Sequence, residues 1–184
     1  MNKIKELYYD IVNGIQAVWR WIPIIWKDRD WDYSYAEIIL MHKTRMIKEY
    51  IDSRKFYIGY ERDVQRMQLV ESLLDKVSTN YYENEMFKYY DVDFHLEDIE
   101  ETTSDVDEFK SLTMDITKND IPEYIEKNKG KVERAKKVLE NKFDDYDDDT
   151  YIRVIANTIA NLKHKQAKRI AFTIIQRHSD EWWD

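Results

Sequence analysis

Ten residues, Trp26-Lys27-Asp28-Arg29-Asp30-Trp31-Asp32-Tyr33-Ser34-Tyr35, bring together four large aromatic rings and three alternating aspartates. Indole and phenol rings stack on a flat base or an alkyl-rich ligand, and nearby cations meet its phosphate or carboxylate. Arg29, His42 and Arg45 supply such cations, and His42 and Arg45 lie three apart, on one side of a helix. Trp26, Arg29, Trp31, Tyr35, His42 and Arg45 are therefore the candidate ligand-binding residues. A structural reading stands beside this one. The rings also suit the sealing of a bundle end, with Asp30 or Asp32 accepting backbone hydrogen bonds at a helix start.

A second candidate is an anion site at Lys165 and Arg169, four apart in a stretch with six basic residues and no acid between Thr150 and Ser179. Its plain alternative is a solvated face or pairing with acids elsewhere. The stretch lacks interleaved aromatics, and the net charge of −8 opposes a phosphate backbone, so direct nucleic-acid binding is not expected.

The spacing Asp28, Asp30, Asp32 invites a calcium loop, which needs glycine at its sixth place and glutamate at its twelfth. Tyr33 and Ile39 stand there instead. Asp145, Asp147 and Asp149 fail in the same way, with Thr150 and Ala156 at those places. Helical nucleotide pyrophosphohydrolases pair ExxE with ExxD to hold magnesium. Glu49-Tyr50-Ile51-Asp52 fits the second half, and no ExxE precedes it at a suitable distance. Glu49, Asp52 and Glu71 are thus the residues a divalent-metal nucleotide hydrolase would use, as an alternative. His42, His95, His164 and His178 lack zinc-site spacing, and neither a Gly-rich phosphate loop nor a GxSxG elbow occurs. No metal or cofactor is expected.

What must position these residues is helical. Three glycines and two prolines in 184 residues are too few for an all-β domain. Aromatic residues at 14% argue against disorder, and the absence of cysteine fits a reducing compartment such as the cytoplasm. The apolar stretch 11–26 carries Asn13, Gln16 and Arg20 and is shorter than the ~20 residues of a span, so no membrane partner is expected.

Apolar spacing of three and four predicts helices at about 2–22, 33–52, 60–80, 120–142 and 150–178. Pro23 should end or kink the first at Ile22. Lys43 intrudes on the apolar face of the second and should reach water along its stem. Glu71 stands among apolar neighbours and is expected to pair with a lysine or arginine. Gly130 is placed to break the fourth helix in two. Residues 91–108 carry nine acids and no lysine or arginine, which reads as a loop or weak helix. The expectation is a single all-α domain over 1–184, an antiparallel helical bundle of about five to six helices with an acidic, mobile loop insertion at about 91–119.

At Trp26, at Asp28-Arg29-Asp30-Trp31-Asp32-Tyr33, through the next helix to Met46, and at Arg169-Ile170-Ala171-Phe172 with Trp182-Trp183-Asp184, the chain resembles a family of small tailed-bacteriophage proteins. The resemblance implies action inside an infected bacterial cell and brings no activity with it. The expected function is non-enzymatic binding, either of a small anionic ligand such as a nucleotide signal of host defence or of a host protein. Other readings are an acidic DNA mimic or host-protein inhibitor using 91–108 and 144–149, and a virion or assembly component. The paired terminal tryptophans, costly to leave in water, fold back or join a second subunit in a homo-oligomer.

Overall fold

The scarcity of turn-formers is answered by long helices. A computed structural model describes residues 3–27, 34–98, 110–139 and 147–182, and among these the fold class is all-α, a helical bundle with one small two-stranded sheet. The α-helices are α1 (Lys3–Ile25), α2 (Tyr35–Arg54), α3 (Tyr60–Ser78), α4 (Tyr81–Phe87), α5 (Ile121–Lys127), α6 (Lys129–Leu139) and α7 (Asp148–His178). A 3-10 turn, Ser179–Trp182, follows α7. No helix among the described residues is long and apolar enough to cross a membrane.

The chain divides into two compact units, Met1–Ser78 with Ile170–Asp184, and Thr79–Arg169. In the first, α2 packs along α3. Ile51, Met67, Val70, Leu74, Ala171 and Trp182 form its buried core, drawn from both ends of the unit's sequence. In the second, Ile121 and Tyr124 of α5, Ala135 and Leu139 of α6 and Ile155 and Ile159 of α7 are buried together. Asp147 starts α7 as expected of the acidic run: its carboxylate accepts from the Thr150 N–H at 2.7 Å and from Thr150 Oγ1 at 2.9 Å.

Two expectations need correcting. Pro23 does not stop α1 at Ile22. The helix runs through it to Ile25, and the Ile22 carbonyl still accepts from the Trp26 N–H at 2.9 Å. Proline removes the bond that would reach the Trp19 carbonyl, but α1 has no buried residue, so water can satisfy that group. The acidic insertion is not a plain loop: β1 (Tyr90–Asp98) and β2 (Lys110–Asn119) pair antiparallel around it. Val92, Phe94 and Leu96 alternate with acids and histidine, and the register sets them opposite Ile116, Met114 and Leu112. That period of two is a strand pattern, which a count of charges conceals. The third helix ends at Ser78, within two residues of the expected bound, and Asn80 adopts a left-handed conformation (φ 49°) ahead of α4. The helix broken near Gly130 does divide, at Asn128 between α5 and α6.

Candidate functional site

Of the aromatic–acid box, Arg29 and Trp31 lie outside the described residues. Trp26 stands in the turn after α1, 83% exposed, and Tyr35 is buried at the start of α2. His42 is half-buried. Its ring meets the Trp21 indole edge-on, with centroids 4.9 Å apart, and its Nε2 is buried without a hydrogen-bond partner among the described residues. Arg45 turns to α3 instead, its Nε donating to Glu71 Oε1 at 2.6 Å, while Lys48 Nζ donates to Oε2 at 2.5 Å. Burial alone would raise the Glu71 pKa. The two hydrogen bonds and the two positive charges outweigh that and hold it below the usual carboxylate range. Glu71 is therefore the paired acid expected from its apolar neighbourhood.

Glu49 and Asp52 are exposed on α2. Lys165 and Arg169 lie one turn apart on the exposed side of α7. Among the described residues, no cluster of three carboxylate or histidine side chains is close enough to hold a metal ion.

The structure assembles a different set. Lys43, Met46, Ile47 and Tyr50 occupy positions i, i+3, i+4 and i+7 of α2 and so share one face. With Arg20 of α1 and Trp182 of the 3-10 turn they line a cavity of about 260 Å³. A second hollow, about 320 Å³, shares Arg20, Met46 and Tyr50 and extends to Glu49 and Ser53. The Tyr50 ring is held from beyond the cavity by Phe56, 5.3 Å between centroids, and by the Arg54 guanidinium 5.3 Å from its centre.

Trp182 is fixed in turn by the first unit's core, and a polar chain holds its sequence neighbour Glu181. Tyr57 Oη donates to Asp63 Oδ2 at 3.0 Å, and Arg66 Nη1 donates to Asp63 Oδ1 at 2.8 Å. Arg66 also reaches Glu181 at 3.5 Å, whose carboxylate lies 3.3 Å from His178 Nδ1. Burial, and then the hydrogen bond to Asp63, push the Tyr57 hydroxyl up to about 12. Trp182 is 6% exposed, and its Nε1 has no hydrogen-bond partner among the described residues. A buried indole N–H without an acceptor costs about 1–3 kcal/mol.

Two cations, a phenol, a thioether and an indole around one hollow suit an anion with a flat or apolar body. Sequence reasoning treated Arg20 only as a mark against a membrane span and Lys43 only as a charge reaching for water. The usable signal was shared by both: a cation set among apolar residues.

Neither a family model, nor a curated protein, nor a solved structure matches this chain.

Proposed function

We propose that this chain is a non-enzymatic binding protein that takes a small anionic ligand between Arg20 and Lys43, and that it acts in the cytoplasm of a phage-infected bacterium. One observation carries the ligand reading: two cations border a hollow whose other walls are Met46, Ile47, Tyr50 and Trp182. A charge-assisted hydrogen bond contributes about 1.5–3 kcal/mol when the partner is an anion, and the aromatic walls reward a flat body. The hollow sits below or at the low end of the ~300–1,000 Å³ typical of ligand pockets, which favours a mononucleotide-sized ligand over a dinucleotide. The cellular setting rests on the resemblance at Trp26, the Asp28–Tyr33 box and the closing tryptophans.

The test is thermal shift and native mass spectrometry against a panel of mononucleotides and inorganic phosphate. Stabilisation together with a one-to-one adduct, both reduced in Arg20→Ala and Lys43→Ala, is the expected result. No adduct with any member of the panel counts against the reading.

A further inference from the structure

The apolar stripe of α1 points away from its own protein. Ile4, Tyr8, Ile11, Ile15, Val18, Ile22 and Ile25 follow the spacing four-three-four-three-four-three without a break. Those are the a and d places of three consecutive heptads, the pattern by which helices pack knobs into holes. Every one of them is exposed, from 40% at Ile22 to 75% at Ile4. Trp19 and Trp26, at e places beside the seam, are exposed at 69% and 83%.

A helix of 23 residues is about 35 Å long. Its exposed aliphatic and aromatic side chains together present on the order of 1,000 Å² of apolar surface. That exceeds what monomeric proteins usually leave in water, and matches the ~800 Å² per partner that a stable interface needs.

We infer that α1 is a self-association helix, and that a second copy of this chain covers its seam. Two identical heptad seams are self-complementary, which is what a symmetric pair requires. Isoleucine at both a and d places is also the choice that admits more than two helices. A lipid surface fits less well. Helices that lie on membranes are rich in lysine and arginine on the polar face, whereas α1 sets Glu6 and Asp10 against Lys3, Lys5 and Arg20. Arg20 falls at an f place, on the side of the helix away from the seam, so assembly leaves the Arg20–Lys43 hollow open. The two proposals therefore stand or fall separately.

Sedimentation velocity on the full chain in the micromolar range tests the seam. A dimer or larger assembly is expected, with Ile15→Glu/Ile22→Glu falling at least twofold in mass to the 22.6 kDa monomer at unchanged helical circular dichroism. Asn13→Asp, at an f place, should keep the assembly. The chain has no cysteine, so single-cysteine proteins give an arm that does not depend on the charged variants. Ile15→Cys should oxidise to a covalent dimer and Asn13→Cys should not. A monomeric wild type, or equal cross-linking at both positions, overturns the inference. So does a monomer that floats with vesicles of anionic lipid, which would assign the stripe to a membrane surface.

Discussion

Arg45 Nε lies 2.6 Å from Glu71 Oε1, tying the middle of α2 to the middle of α3 with a charge-assisted hydrogen bond. Lys48 completes the arrangement on the other carboxylate oxygen. Both Glu71 oxygens are thus engaged, and the Arg45 guanidinium expected beside a ligand is committed to holding two helices together.

Removing that carboxylate should therefore be felt as lost stability rather than lost binding. Glu71→Ala leaves the half-buried Lys48 ammonium without its partner, at a cost of about 1–3 kcal/mol. Chemical denaturation should show the midpoint falling with an unchanged slope. The sign of the pH dependence follows from the depressed folded pKa: the contribution is complete above the ordinary carboxylate value and fades as pH falls through the lower folded one. The wild type should lose stability over that acidic window by more than Glu71→Ala does.

Tyr57 makes the opposite prediction at alkaline pH. Its hydroxyl is pushed from 10.0 up to about 12 by burial and by the bond to Asp63, so the folded state holds its proton longer than the unfolded chain does. Stability from this group is full below about pH 10 and declines between there and pH 12. Burial raises Tyr124 to about 12 as well, so ultraviolet titration should show a late-ionising fraction that includes both, and Asp63→Asn should move only the Tyr57 part of it earlier. A tyrosine population titrating as a single group near its ordinary value would contradict the assignment.

Leu74 is fully buried in the first unit's core and Ile159 in the second's. Leu74→Ala and Ile159→Ala should each cost about 2–5 kcal/mol, the usual range for such truncations. Hydrogen exchange should then show the loss of protection concentrated in the unit that carries the change. Uniform loss across both units would mean that they unfold as one.

The fold class was legible because burial follows the helical period. Met67 and Leu74 of α3 and Ile155, Ala156 and Ile159 of α7 are core residues on the stripes where spacing puts them. Glu71 was legible for a related reason, since an acid on such a stripe needs a partner. Other features were hidden by reading one property at a time. Counting acids over 91–108 concealed the alternation of Val92, Phe94 and Leu96 that makes β1. The α1 stripe was plain as a pattern, yet nothing in its spacing said that this protein would leave it uncovered. The hollow was beyond local reading altogether, because Trp182 reaches Lys43 only through tertiary packing of sequence-distant segments.

Arg20 and Lys43 are proposed to hold a small anion against Tyr50 and Trp182. The decisive experiment is titration calorimetry with the mononucleotide that gives the largest thermal shift, on the wild type and on Arg20→Ala and Lys43→Ala. Each variant should weaken binding by roughly tenfold or more, as the loss of about 1.5–3 kcal/mol implies, while keeping its fold. Binding that is unchanged in both variants would show that these two cations do not hold the ligand.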